Sequence, residues 1–426
     1  MSDLLIKSGR VIDPSQALDK KTDIFIKDGK VAKTGGTEKS DVLDAKDCVV
    51  IPGIIDMHVH LRQPGREDEE TVKSAQKAAI AGGVTSLCSM PNTDPVADKE
   101  SVIEFLMKEA EGSLADVYPV GAITKGLKGQ ELSEMDLLAK AGAVGFSDDG
   151  ECVTDSAVMM RSCEYSLTTG KPLIIHAEDK ALTKDTQMHE GLMSTELGLK
   201  GAPSLAEEFI VARDIMLSSY TGAKIHFAHV STKGSVALIR KAKEAGLQVT
   251  AEVSPHHLLL DDGYLENYDS NYKVNPPLRS PEDCEALIQG LTDGTIDAIA
   301  SDHAPHSIEE KEREFIYAPP GIIGLETLAS LVFGKLVAEG KLEINQAVAK
   351  LTDGPARILG LKKGSLKAGS EADVVVLDLK NDWSIDPSKF YSLSRNTPFG
   401  GWKVKAKVKA VIKNGKIVHK DGKFIE

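Results

Sequence analysis

Between residues 52 and 363 the chain repeats one alternation, a short apolar strand followed by a longer stretch with apolar residues at helical spacing. The strands read as IIDMHVH (54–60), VTSLCSM (84–90), DVYPVGAI (116–123), AVGFSD (143–148), PLIIHA (172–177), KIHFAHV (224–230), QVTAEVS (248–254) and IDAIASD (296–302). Stretches such as EETVKSAQKAAIAGG and SVALIRKAKEAG return an apolar residue every three or four positions, as one buried helix face requires. Apolar strands separated by helices point to a parallel sheet covered by helices. Eight strand–helix units in about 312 residues predict an α/β fold, a (β/α)8 TIM barrel. The long stretches after strand five (178–203) and strand eight (303–323) are the candidate active-site loops.

The two ends have a different texture. Residues 1–51 carry short β-branched runs, LLIKSGRVID, TDIFIKDGKVAKTG and CVVIPG, punctuated by turn pairs such as Asp28-Gly29. Residues 364–426 continue in the same style with ADVVVLDL, KAVIKNGKIVHKDGKFIE and an Asn414-Gly415 turn. Neither end can bury a good core alone. Together they suffice for one small composite β-sandwich domain built from both termini.

Charge narrows the partners. Acidic residues outnumber basic ones, 64 to 51, for a formal net charge of −13. Such a chain has no general attraction for phosphate backbones or anionic membranes, so nucleic acid and lipid are set aside as partner classes. No apolar run approaches the roughly 20 residues of a membrane span. Charges also interrupt MSDLLIKSGRVIDPS too early for a signal peptide. Cys48, Cys88, Cys152, Cys163 and Cys284 are widely spaced and form no CxxC pair, which suits the buried thiols of a cytoplasmic protein.

In a barrel the chemistry sits at the C-terminal ends of the strands. Strand one ends in DMHVHLR, where His58, His60 and Arg62 are spaced by two. That spacing puts all three on the lumen face if the strand continues so far. Strand four ends at Asp148 and Asp149, strand five at His176, strand six at His229 and strand eight at Asp302. Taken singly, each has a plainer reading: HxH as ordinary packing, Asp-Asp-Gly as a turn or cap, a lone histidine as a satisfied core residue. Convergence from five strands on one mouth favours a centre for zinc or a related divalent ion. Of the other histidines, His226 lies three before His229 and is expected on the opposite face, away from the lumen. His256 and His257 are expected near the mouth as supports, and His303 either to point away or to support its loop. His189 and His419 are expected at the surface.

With HVHLR after strand one, histidines ending strands five and six, and an aspartate ending strand eight, the sequence resembles the amidohydrolase superfamily. Within it, DMHVHLRQPG, SMPNTDP, GFSDDG, SPHHLLL, KVNPPLR, ASDHAPH and GIIGLET are similar to dihydroorotases of the long bacterial type, class I. The resemblance covers essentially the whole chain. It implies a cyclic amide hydrolase that interconverts dihydroorotate and N-carbamoyl-L-aspartate in pyrimidine biosynthesis, with one or two Zn2+ per subunit. By the same resemblance His58, His60 and Asp302 would hold one zinc and His176 and His229 the second. Asp149, favoured over Asp148, would bridge them where many relatives carry a carboxylated lysine. A metal-activated water would attack the ring amide, with Asp302 as general base and then general acid. His60, Arg62, Asn92, Asn275, His306, Pro320 and Gly321 would contact the substrate, with Arg62, Asn92 and His306 at its carboxylate. Asn275 and the backbone at Pro320 and Gly321 would read the ring amide edges. Many relatives have Phe at the Pro320 position, so APPG removes one N–H donor there. The loop 307–320, with its EEKERE run, is either a cover for the substrate or a solvated surface. The resemblance further implies a homodimer and an association with aspartate transcarbamoylase. A hydantoinase or allantoinase, and a non-catalytic scaffold of the transcarbamoylase, are the rival readings.

Overall fold

The computed structural model describes residues 3–33, 40–112 and 114–425; of the runs read above, Met1, Ser2, Thr34, Gly35 and Glu426 lie outside these. The central region is α/β and TIM-barrel-like. Its eight strands are Ile54–Val59, Val84–Ser89, Asp116–Pro119 continuing at Gly121–Ala122, Phe146–Ser147, Leu173–Ile175, Ile225–Phe227, Val249–Val253 and Ala298–Ile299. Consecutive strands pair in parallel, and the third is interrupted at Val120. The eighth meets the first through its following loop, by a parallel bridge of Val59 to His303 with His60 N donating to His303 O at 2.9 Å, and by Ser301 N donating to Asp56 Oδ1 at 3.0 Å.

Strand alternation sorts the core. Met57, Cys88, Met90, Val120, Val144, Ile174, Ala228, Ala298 and Ala300 form one cluster inside the sheet. The larger cluster fills the space between sheet and helices, with Ile54, Leu87, Phe146, Leu173, Phe227 and Ile299 facing Ile80, Ile103, Met159 and Ile239. The helices begin where local chemistry starts them. Thr71 and Ser74 make a capping box for Val72–Ala81. Asp155 accepts from Ala157 N and Val158 N at the start of Ser156–Thr169. Ser280 pairs with Asp283 ahead of Pro281–Thr292.

The two ends meet in one seven-stranded sheet, in the order 423–424, 416–420, 407–413, 374–378, 49–52, 10–13, 18–21. A four-stranded sheet of 30–32, 24–27, 4–7 and 41–44 faces it. Val374, Val376, Ala410 and Ile412 pack with Leu4, Ile6, Ile24 and Leu43 between the sheets. Their neighbours Val375, Leu377, Val408 and Val411 join the barrel cluster on the other face. Burial on both faces is why ADVVVLDL is continuously apolar rather than alternating. Asp28-Gly29 and Asn414-Gly415 are hairpin turns with positive φ at both residues, 51° and 77°, then 49° and 79°.

The stretch 380–406 departs from the expected terminal sheet. Ile385, Phe399 and Val404 pack instead with Leu260, Val274, Leu278 and Ile322 beside the barrel. Two buried histidines correct the surface expectation. His189 lies near Arg279, with Nδ1 and Nη1 3.3 Å apart, and His419 packs its ring 5.2 Å from that of Phe424.

Candidate metal centre and active site

The first strand ends at Val59, and the chain then turns to meet the loop after strand eight. His58 and His60 both face the centre past a register shift between Asp56 and Val59, which lets the neighbouring Met57 face inward as well. Arg62 departs from the strand, its φ of 59° taking it out of the extended register. Its Nε donates to Pro305 O at 2.9 Å and lies 3.2 Å from Glu69 Oε2. His229 and Asp302 also have positive φ, 31° and 50°. The turn at His229 explains the correction at His226. With the strand ending at Phe227, His226 shares the inward face of Ala228, and His229 is swung inward by the backbone. His226 Nε2 then lies 3.3 Å from Glu252 Oε2 in the lumen.

Asp149 is the hub. Its Oδ1 lies 3.3 Å from His58 Nε2, 3.5 Å from His229 Nε2 and 3.8 Å from His176 Nδ1, and its Oδ2 lies 3.5 Å from His60 Nε2. Two triads, His58–His60–Asp149 and Asp149–His176–His229, have ligand atoms close enough to hold an ion each, and they share Asp149. Asp302 Oδ1 is 3.4 Å from His60 Nε2 and 3.6 Å from His58 Nε2. Asp148 turns away, accepting from Ile123 N and Thr124 N at 2.9 Å and from the Thr124 hydroxyl.

Three of the four imidazoles are held from behind. His58 Nδ1 meets Glu252 Oε1 at 2.8 Å, His60 Nδ1 meets Asn92 Oδ1 at 2.9 Å and His176 Nε2 meets Glu178 Oε2 at 2.9 Å. Each of those oxygens can only accept, so the proton sits on the outer nitrogen and the inner one presents a lone pair to the hub. The inner atoms fit a cation. His58 Nε2 and Asp149 Oδ1 are buried without hydrogen-bond partners. His176 Nδ1 and His229 Nε2 stand 2.9 Å apart, a separation at which two lone pairs need a proton or a cation between them. Imidazole nitrogen and carboxylate oxygen are the donors that zinc and its neighbours take.

With no cation between them, protons on the rings take its place: burial opposes a charge on His58, but Asp149, Glu252 and Asp302 push it well above its usual range. Burial alone would raise Asp149, but His58, His229 and His60 outweigh it and hold the carboxyl well below its usual range. Burial likewise opposes ionisation of Asp302, and His60, His58 and His229 reverse it, holding that carboxyl low. Glu252 is ionised for the same reason: burial pushes it up, and His226 and His58 bring it down to about 2.

Around this centre, Asn275 Nδ2 donates to Glu178 Oε2 at 3.1 Å. His306 Nε2 lies 3.0 Å from Pro320 O and 3.3 Å from Arg62 Nη2. Gly321 N donates to Lys273 O, and its carbonyl accepts from Asn396 Nδ2 at 3.0 Å and Lys311 Nζ at 3.1 Å. A cavity of about 280 Å³ opens here, lined by Glu178, Gln187, Lys273, Asn275 and Pro320 among others. A larger one of about 370 Å³, beside Trp383 and His419, contains none of the ligand residues. Ser307 caps the helix Ile308–Lys311, so part of the loop 307–320 is regular structure. His256 and His257 are buried, with His257 Nε2 2.9 Å from Pro276 O, and neither belongs to a triad. His303 Nδ1 accepts from Gly324 N at 3.1 Å, the loop support expected of it.

Sequence reasoning missed Glu252, Glu178, Glu69 and Asn396. Glu252 carried a signal, a lone carboxylate in the buried strand TAEV. Asn396 carried none, being about 90 residues from the loop it holds through Ala304 O and His306 N.

The family model described as amidohydrolase family matches residues 49–418. A dihydroorotase of Pelotomaculum thermopropionicum is 51% identical over 421 residues, covering 98% of this chain and 99% of that one. One from Geobacter sp. strain M21 is 47% identical over 424 residues, 98% and 100% of the two chains. Among solved structures, the L-hydantoinase of Arthrobacter aurescens superposes with a TM-score of 0.90 at 28% identity, covering 100% of this chain and 98% of that one.

Proposed function

The chain belongs to the amidohydrolase family and is a dihydroorotase, a hydrolase of cyclic amides, and from that premise we propose how its residues divide the reaction. The substrate pair is dihydroorotate and N-carbamoyl-L-aspartate, interconverted by opening and closing one ring amide. His58, His60 and Asp302 would hold one cation and His176 and His229 a second, with Asp149 available to both. Bound divalent ions, zinc in this reading, supply Lewis-acid polarisation of the amide carbonyl and lower the pKa of a water.

The chain's own groups do the rest. Asp302 Oδ1, 3.4 Å from His60 Nε2, takes the proton of the attacking water. It then gives that proton to the ring nitrogen as the C–N bond breaks, and the reverse order closes the ring. Arg62 offers its guanidinium to the substrate carboxylate with Asn92 and His306, while His60 and Asn275 border the ring. The backbone at Pro320 and Gly321 lies against the amide edge. The support comes chiefly from one arrangement: a single buried aspartate, Asp149, with orphaned imidazole and carboxylate atoms converging on it.

In the same reading, residues 1–51 and 364–426 form one β-sandwich domain flanking a barrel of 52–363. The mixed sheet and the cluster of Leu4, Ile6, Val374 and Ile412 support it. The protein works in the cytoplasm as a homodimer that can associate with aspartate transcarbamoylase; this part rests on the family resemblance.

The test is turnover of dihydroorotate, followed by ring absorbance, on chelator-stripped protein before and after zinc is returned. Activity that disappears with the metal and returns with it is expected. No turnover in either direction at full metal content would refute the reading.

A further inference from the structure

The lumen beneath the metal centre holds a chain of polar side chains that the reaction does not itself call for. Thr250 Oγ1 lies 2.9 Å from His226 Nδ1. His226 Nε2 lies 3.3 Å from Glu252 Oε2, and Glu252 Oε1 lies 2.8 Å from His58 Nδ1. His226, Glu252 and His58 are fully buried. His226 Nε2 and Glu252 Oε2 have no hydrogen-bond partner, so each is the polar group nearest at hand to satisfy the other. Three strands supply the chain: His58 comes from strand one, His226 from strand six, and Thr250 and Glu252 from strand seven, where alternation puts them on one face.

The proton pattern follows from donor and acceptor inventory. A carboxylate can only accept, so Glu252 requires a proton on His58 Nδ1 and one on His226 Nε2. With Nε2 protonated, His226 Nδ1 is an acceptor, which the Thr250 hydroxyl satisfies. The whole row is then consistent in one arrangement. Reversing His58 would set its Nδ1 lone pair against the Glu252 oxygen and point Nε2–H at Asp149.

We propose that Glu252, backed by His226 and Thr250, is a positioning residue: it locks His58 in the Nδ1–H tautomer, so that Nε2 is offered to the cation site. This rests on the metal-centre reading above for its functional meaning. The Nδ1 proton is set by Glu252 with or without a cation; in the metal-free chain Asp149 Oδ1, 3.3 Å from Nε2, favours a second proton there. His60 and His176 have their own outer partners, Asn92 and Glu178, at the protein's mouth. His58 is the ligand held from within the lumen, where water cannot replace a lost partner.

Long-range 1H–15N spectra of the histidine rings in chelator-stripped full-length protein read the tautomer directly. Wild type is expected to give His58 with Nδ1 protonated. Glu252→Leu is expected to shift His58 toward the Nε2–H form and to speed loss of zinc to a competing chelator about 10- to 100-fold. His226→Phe, which leaves Glu252 in place, is expected to give a smaller change of the same sign. Glu252→Asp should restore part of the zinc retention. If Glu252→Leu does not fold, His226→Phe and Glu252→Gln carry the same two readouts. Unchanged His58 tautomer and unchanged zinc retention in the folded variants would overturn the proposal. Wild-type protein that binds no zinc yet keeps the Nδ1–H tautomer would instead remove the metal-centre reading, leaving the tautomer lock standing.

Discussion

Arg62, His229 and Asp302 adopt φ values of 59°, 31° and 50°, a region that costs a non-glycine residue about 1–3 kcal/mol. All three sit where a strand gives way to a loop at the proposed centre, and at Arg62 and His229 the turn breaks the strand's alternation. Asp302→Asn keeps the shape but cannot take a proton, so turnover is expected to fall at least 10²-fold with the thermal unfolding profile little changed. Activity within a few-fold of wild type would remove Asp302 from proton transfer. Arg62→Met deletes a charged hydrogen-bonding group of about 1.5–3 kcal/mol. It should raise KM more than tenfold while metal content, measured by elemental analysis, stays constant. At this scale the ligand histidines were legible because HxH and strand-end positions are sequence features. His226 was not, since its direction depends on where the strand stops.

At the scale of the element, the segment 380–406 does what its β-rich surroundings did not announce. Asn396 donates to Ala304 O and Gly321 O at 3.0 Å and accepts from His306 N at 3.3 Å, tying together the two ends of the stretch 303–323 that carries proposed substrate contacts. Asn396→Ala should therefore raise KM severalfold and lower stability by about 1–3 kcal/mol, seen in steady-state kinetics and urea titration. A second tie is Glu326, whose carboxylate accepts from Tyr391 N at 2.9 Å and from Ser392 N at 3.3 Å. Burial pushes its carboxyl up to about 8, with those backbone bonds opposing. Between the ordinary glutamate range and about 8 the folded chain keeps a proton that the unfolded chain releases. Stability from this group is thus full at low pH and is lost as pH rises through about 8. Glu326→Gln should flatten that part of the pH–stability curve and leave the variant more stable than wild type at pH 9. An unchanged slope in urea titrations from pH 6 to 9 would contradict it.

Across the whole molecule, the seven-stranded terminal sheet stands between two cores and buries one face in each. Val375, Leu377 and Val411 face the barrel cluster, while Val376 and Ile412 face the terminal one. The proposed centre draws ligands from strands one, four, five, six and eight, so an ion bound there ties distant parts of the sheet together. Removing it should lower the unfolding midpoint, and restoring metal at a hundred times its Kd should return about 2.7 kcal/mol. Equal midpoints with and without chelator would argue against a bound ion.

The sequence by itself determined the alternation of strand and helix, the β-rich ends, the hairpin turns and the set of metal-competent side chains. These are carried by periodicity and residue type, which are local quantities. Tertiary structure alone decided that the segment 380–406 leaves the terminal sheets to pack beside the barrel and that Arg62 turns out of the extended register. It alone turned His226 inward to Glu252, and brought Asn396 to the loop after strand eight, about 90 residues away in the chain. Those outcomes depend on where strands stop, which backbone angles the closing loops adopt and which distant carbonyls need a donor. No window of sequence contains that information.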